Sequence, residues 1–190
     1  MRHAFHAATG LVLAFFIFWM GKERGLILIG ALFLLTILME ILRLKVAGVN
    51  RVLVTLVGPM LKSAEISHPT GVGYFLGGVL LCLLLFEFEV TLASIAILSV
   101  GDPTATMIGR RWGRIRICKK SLEGTIGFLA SSMTAGMVLQ GFWPGLSMAT
   151  FSIGTVIGAM VELLPLNIDD NLLLPLAAGL AMEVSMRFFG

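Results

Sequence analysis

The sequence predicts an all-α, polytopic integral membrane protein of about seven transmembrane helices, with its N-terminus in the cytoplasm. Three observations predict it. The 190 residues are 57% hydrophobic and only 13% charged, with a mean hydropathy of +0.97, whereas soluble domains carry about 25% charged residues. Between Glu123 and Glu162 run 38 consecutive residues without Asp, Glu, Lys or Arg. Pro144-Gly145 divides that run into two stretches of about 19 residues, the length a bilayer core demands. The third observation is an uneven division of basic residues, which appears once the spans are laid out.

The spans cover 4–20, 25–42, 70–87, 89–108, 125–142, 146–163 and 171–188. The first begins behind Arg2 in the manner of a signal peptide. No small-residue cleavage site follows, so the stretch reads as a retained helix that turns at Gly21-Lys22-Glu23-Arg24. After the second span, Val52, Leu53, Leu56, Val57, Met60 and Leu61 recur at helical spacing between Arg51 and Lys62. That is the pattern of an interfacial amphipathic helix, bent at Gly58-Pro59. No linker or long repeat interrupts the chain, so 1–190 reads as one membrane-embedded domain.

Placing the 109–123 loop in the cytoplasm puts eleven of the fourteen basic residues on that side, against Lys22, Arg24 and Arg187 on the other. Cytoplasmic loops collect Lys and Arg in this way, which sets the C-terminus outside. The net charge of +3 then needs no nucleic-acid partner. The same layout brings His3, His6, Glu40, Arg43, His68, Glu162 and Asp169-Asp170-Asn171 to cytoplasmic helix ends, and sends Glu87, Glu89 and Glu183 to the opposite side. Cys82 lies in an apolar segment and Cys118 in the basic loop, settings too different for a disulfide or a zinc site.

Gly101 to Gly124 is the polar centre of the chain. It holds Asp102, Glu123 and six of the fourteen basic residues: Arg110, Arg111, Arg114, Arg116, Lys119 and Lys120. Ionisable groups are expensive within a membrane and mark functional sites there. Gly101-Asp102-Pro103 is expected to interrupt an apolar helix, because proline removes a backbone donor. Asp102, Thr106 and Gly109 share a helical face, where a carboxylate and a hydroxyl suit a Mg²⁺–phosphate site. The competing reading makes Asp102 a cap on the turn after the kink. In Lys119-Lys120-Ser121-Leu122-Glu123-Gly124, a cation, hydroxyl and carboxylate stand at a helix N-terminus, which suits a phosphate. Ser121 is equally a helix cap and Glu123 a first-turn acid, while Lys120 has no comparable structural reason to stand there.

Asp169-Asp170-Asn171 opens the last span and Glu162 closes the one before it. Two carboxylates facing a third point to metal coordination or base chemistry, and capping is the plain alternative. Glu40 and Arg43 read as an intrahelical pair. Walker-type, dinucleotide-type and H-E-x-x-H signatures are absent from the sequence.

GDPTATMIGRRWG, KKSLEGTIGF and VELLPLNIDDNLLLPL together resemble the dolichol kinase family, which includes the CTP-dependent diacylglycerol kinases and the plant phytol and farnesol kinases. The likeness covers roughly 95–180, and is weaker around His6, Glu40 and Thr70-Gly71. It implies a membrane enzyme moving the γ-phosphate of CTP onto a lipid alcohol with a divalent metal. By position, Gly101, Asp102 and Gly109 match the first motif. Lys120, Ser121, Glu123 and Gly124 match the second, and Glu162, Asp170 and Asn171 the third. Phosphatidate cytidylyltransferases share K-x-x-E-G, but this chain has D-D-N where they end in H-G-G-x-x-D-R, which favours the kinase. The chain is much shorter than eukaryotic dolichol kinases, as a minimal catalytic core would be.

The expected activity is therefore a CTP-dependent kinase forming polyprenol phosphate from a polyprenol or dolichol. Diacylglycerol and short isoprenoid alcohols are alternative substrates, and the rival activities are CDP-lipid synthesis and small-molecule transport. In this scheme Asp102, Glu162, Asp169 and Asp170 are candidate Mg²⁺ ligands. Lys120, with Arg110, Arg111, Lys119 and Ser121, offsets phosphate charge, while Glu123 orients Lys120 or a metal-bound water. Asp170 takes the proton of the lipid hydroxyl. Gly101, Thr106, Gly109, Gly124 and Asn171 complete the nucleotide site.

Overall fold

The computed structural model describes residues 2–58, 63–118, 120–142, 145–165 and 168–189. These form α1 (Arg2–Met20), α2 (Lys22–Lys45), α3 (Ala47–Val57), α4 (Gly71–Leu85), α5 (Phe88–Trp112), α6 (Leu122–Gln140), α7 (Met148–Leu163) and α8 (Asp170–Phe189). A short 3₁₀ turn, Ser63–Ile66, precedes α4. The expected spans correspond to all of these helices except α3. The fold is all-α apart from one element that the hydropathy pattern did not announce. Between α5 and α6, β1 (Arg116–Ile117) and β2 (Lys120–Ser121) pair antiparallel in a minimal hairpin.

Turn chemistry sets the helix boundaries. Gly21 has φ +82°, a conformation open to glycine at little cost, and it separates α1 from α2 in a single residue. Lys22 then donates from Nζ to the Phe86 carbonyl at 2.7 Å, tying the start of α2 to the end of α4. Ser147 caps α7, its hydroxyl accepting the Thr150 amide at 3.1 Å. Each cap satisfies an amide that the helix itself leaves unpaired.

α5 is the axis of the molecule, packed against α1, α4, α6, α7 and α8. Its stretch Val90–Ser99 is buried throughout. α2 is the opposite case, exposing Ile27, Leu34, Leu35, Leu38 and Ile41 along its outer face. An apolar helix with an apolar exposed face is one that meets lipid. α2, α5 and α6 are long and apolar enough to cross a membrane, while α1, α4 and α7 carry shorter apolar stretches. The protein is a membrane protein. α3 exposes Val52 and Leu56, while Pro59, Met60, Leu61 and Lys62 of the expected amphipathic helix lie outside the described residues.

One expectation is corrected here. α5 runs unbroken through Pro103, so Gly101-Asp102-Pro103 does not interrupt the helix. Proline leaves one carbonyl a turn earlier without its amide partner, and the remaining bonds and the packing around the axis are enough to keep the helix continuous. Asp102 is thus inside a helix and starts none, which removes the capping reading.

Candidate active site

The site begins with how the chain leaves α5. Glu123, in the first turn of α6, accepts the backbone amides of Arg114 at 2.9 Å and Ile115 at 3.1 Å. Leu122 donates its own amide to the Ile115 carbonyl at 3.0 Å. Ser121 accepts the Gly124 amide on its hydroxyl at 3.1 Å and so caps α6. Cys118, with φ +53°, turns the hairpin. These bonds fix β2, and β2 carries Lys120. The bonds that the Glu123 carboxylate makes go to backbone amides of the incoming loop, which hold the hairpin that carries Lys120.

The motif glycines have a packing role. Gly109 of α5 and Gly124 of α6 face each other, and a Cβ on Gly124 would stand 2.8 Å from the Ala105 carbonyl oxygen and 3.4 Å from the Gly109 Cα. At Gly101 a Cβ would meet the Phe128 ring at 2.6 Å. All three are buried between helices, and only a missing side chain lets the helices approach this closely. Thr106 is half-buried on α5, whereas Arg110 and Arg111 are exposed in its last turn. The Arg111 guanidinium lies over the Trp112 ring at 5.1 Å. Lys119 lies outside the described residues, as do the side chains of His3 and His6.

Lys120 brings the second and third motifs together. Its Nζ lies 2.8 Å from Glu162 Oε1 and 3.1 Å from Asp170 Oδ2. Burial pushes the ammonium's pKa down, but the hydrogen bond to Glu162 and the charges of Asp170, Glu162 and Asp102 outweigh it and hold the pKa above the ordinary lysine value. Asp102 thereby joins the same electrostatic cluster. The expectation that Lys120 lacks a structural partner is corrected: it bridges the C-terminal end of α7 to the N-terminal end of α8. Folding alone could supply this meeting, since 42 and 50 positions separate the partners.

The two adjacent aspartates are sorted by the start of α8. Asp169 accepts the Asn171 amide on Oδ1 at 3.0 Å, and its carbonyl accepts the Leu172 amide at 3.0 Å, so it caps the helix. Asp170, one position on, turns to Lys120. Asn171 lies against α4, its Nδ2 being 3.1 Å from where a Gly71 Cβ would stand. Glu162 is 2% exposed, and its Oε2 has no hydrogen-bond partner. A buried carboxylate oxygen left unpaired is costly.

That orphaned oxygen is an acceptor that a divalent cation would satisfy. Glu162, Asp170 and Asp102 offer hard oxygen donors, which suit Mg²⁺. Among the described residues no three His, Cys, Asp or Glu side chains form a ready cage. Magnesium in nucleotide sites is commonly held by one or two carboxylates plus phosphates and water.

A second polar cluster extends the Glu40–Arg43 intrahelical pair across to the segment before α4. Arg43 and Glu40, 4% and 8% exposed, are hydrogen-bonded at 2.8 Å within α2. Arg43 also donates to the carbonyls of Glu65 at 2.8 Å and His68 at 2.5 Å. Glu40 accepts the Thr70 hydroxyl at 2.6 Å. Glu65, which no sequence signal marked, accepts the Gly71 amide at 2.9 Å. Glu183, at the opposite end, accepts the Glu87 amide at 3.1 Å and pairs with Arg187 at 3.6 Å.

Comparison with known proteins adds to this geometry. No family model matches the chain, and no solved structure matches it. The chain is 28% identical over 163 residues to CTP-dependent diacylglycerol kinase 1 of Schizosaccharomyces pombe, covering 77% of this chain and 74% of that protein. It is 26% identical over 214 residues to the protein of the same name in Saccharomyces cerevisiae, covering 99% and 73%. An uncharacterized protein of Methanocaldococcus jannaschii is 29% identical over 181 residues, covering 92% and 87%. The likeness supports a CTP-dependent lipid kinase.

Proposed function

We propose that the chain is a CTP-dependent diacylglycerol kinase, transferring the γ-phosphate of CTP to the free hydroxyl of a diacylglycerol. The observation that carries the reading is Lys120, which holds Glu162 and Asp170 together within the field of Asp102. A cation among carboxylates is the equipment of phosphoryl transfer, which is mainly positioning and charge stabilisation. The relatives with named activities act on diacylglycerol, and this favours diacylglycerol over the polyprenol expected from the motifs alone. A cytidylyltransferase would release pyrophosphate; the kinase releases CDP.

Lys120 offsets the charge of the transferring phosphoryl group, with Arg110 and Arg111 at the exposed end of α5 drawing in the triphosphate. Glu162, whose Oε2 has no hydrogen-bond partner, would hold Mg²⁺ together with Asp102, and the ion would supply charge neutralisation for the transferring phosphoryl group. Asp170 accepts the proton of the lipid hydroxyl as its oxygen attacks the γ-phosphorus and the bond to CDP breaks. Glu123, Ser121 and the paired glycines act through position, holding the hairpin and α6 against α5. The site faces the cytoplasm, at the end of a multi-pass bundle where the basic residues gather. The test is to incubate purified protein with γ-labelled CTP, ATP or GTP and a panel of dioleoylglycerol, polyprenol and farnesol. Label entering the lipid from CTP with dioleoylglycerol supports the reading. Pyrophosphate release without lipid phosphorylation overturns it.

A further inference from the structure

The strand that follows α5 has two unlike sides, and both are exposed. From Arg114 to Ile117 the residues alternate Arg, Ile, Arg, Ile, and in extended chain successive side chains point to opposite faces. Ile115 and Ile117 are 56% and 36% exposed, and Trp112 at the end of α5 is 60% exposed. Arg114 and Arg116 are exposed too, and among the described residues neither side chain forms an ion pair. Apolar groups of this size left open beside cations make a poor surface for water. They suit a membrane interface, where Trp sits at headgroup level and basic residues meet anionic lipid.

The fold puts the strand at that level and ties it to the reacting groups. α5 has 25 residues, roughly 37 Å at about 1.5 Å each, against a hydrocarbon core of about 30 Å. Its basic last turn therefore emerges among the headgroups. The Leu122 amide is bonded to the Ile115 carbonyl, and Leu122 and Ile126, one turn apart on α6, are 36% and 56% exposed. The apolar side of the strand thus continues into an apolar exposed side of α6. In the hairpin Ile117 stands opposite Lys120 and Arg116 opposite Ser121. Glu123 holds the amides of Arg114 and Ile115, and a Cβ on Gly113 would stand 2.7 Å from Ser121 Oγ. A displacement of the strand is therefore passed to Lys120, whose Nζ bridges Glu162 and Asp170.

We infer that the strand from Arg114 to Ile117 docks on the anionic bilayer surface, Ile115 and Ile117 entering the interface with Trp112 while Arg114 and Arg116 hold lipid phosphates, and that this docking sets the position of Lys120. Charge complementarity selects the occupant. Neutral headgroups give the guanidiniums no net charge to meet, whereas an anionic leaflet attracts each basic residue near its surface. The docking stands on the hairpin itself; its effect on turnover rests on the kinase reading. Anionic lipid then acts as an activator, and Arg114 and Arg116 are positioning residues.

The test uses the full chain in phosphatidylcholine vesicles, with Trp19→Phe and Trp143→Phe leaving Trp112 as the sole tryptophan. Brominated phosphatidylglycerol and brominated phosphatidylcholine are compared as quenchers at equal mole fraction. Trp112 should be quenched more strongly by the anionic lipid, and Arg114→Gln with Arg116→Gln should lose most of that preference. Ile115→Ser with Ile117→Ser should weaken quenching by both lipids. Turnover is then measured at saturating CTP and a fixed mole fraction of dioleoylglycerol. Replacing about one-quarter of the phosphatidylcholine with phosphatidylglycerol should raise kcat about fivefold, the scale of one basic residue at an anionic surface. The double arginine variant should match the parent protein in phosphatidylcholine and miss the rise. Equal quenching by the two lipids, quenching by neither, or a preference undiminished in the arginine variant overturns the docking. A preference with no change in kcat overturns the link to Lys120. A protein that phosphorylates no lipid alcohol removes the kinase reading, and the quenching still decides the docking.

Discussion

Lys120 Nζ stands 2.8 Å from Glu162 Oε1, a charge-assisted bond to a carboxylate that is almost wholly buried. Glu162 closes α7 and Lys120 precedes α6, so the bond fixes the distance between two helix ends that share no turn. Asp170 completes the bridge from α8. Whatever enters this cluster must compete with, or be guided by, an ammonium already held in place.

Lys120→Met should therefore cost stability as well as activity. Leaving Glu162 without its cation should lower stability by about 2–3 kcal/mol, the scale of a hydrogen bond to a charged group. Thermal unfolding in detergent checks this. The double variant Lys120→Met with Glu162→Gln should regain part of the stability and none of the turnover. A single variant that melts with the wild type would mean that the bridge contributes nothing.

Asp102→Asn separates charge from shape. The helix is continuous at this point, so no cap is lost, and a neutral Asn is cheaper to bury than a carboxylate. Stability should be unchanged or slightly raised. Activity should fall by about 10²-fold or more, as when a charge-stabilising group is removed from other active sites. Near-normal lipid phosphorylation at saturating magnesium would place the metal elsewhere.

Gly124→Ala distinguishes a packing glycine from a phosphate-binding one. Its Cβ would press on the Ala105 carbonyl oxygen at 2.8 Å, and overpacking of this kind costs about 1–3 kcal/mol. Gly48→Ala is the control: nothing lies within 4 Å of its added Cβ, so it should gain up to about 1 kcal/mol from helix propensity. Unchanged melting of Gly124→Ala with weakened CTP binding would assign that glycine to the nucleotide instead.

The native cysteines report the orientation. Cys118 is exposed on the hairpin and Cys82 is buried in α4. A membrane-impermeant maleimide should label Cys118 in inside-out vesicles and leave it unmodified in intact cells. Labelling from outside would reverse the proposed topology and move the site to the other face.

The amino-acid sequence by itself determined where the helices lie. The 38 uncharged residues on either side of Pro144-Gly145 form most of α6 and α7, and Ser121 and Asp169 cap α6 and α8 as residues of their types do. It also marked Asp102, Lys120, Glu162 and Asp170, because an ionisable group amid apolar sequence needs a reason. The tertiary structure decided which of these groups meet. Asp169 and Asp170 are indistinguishable in composition, and only the start of α8 turns one to its own amides and the other to Lys120. Glu123 and Lys120 are near neighbours in sequence, yet the hairpin sends them to different partners. Glu65 carries no pattern of its own, being a lone acid in a short turn whose side chain accepts the Gly71 amide and whose carbonyl takes a bond from Arg43 of α2. Local sequence fixes backbone periodicity and caps within a few residues; the pairing of charges across 42 or 50 positions depends on how the helices pack.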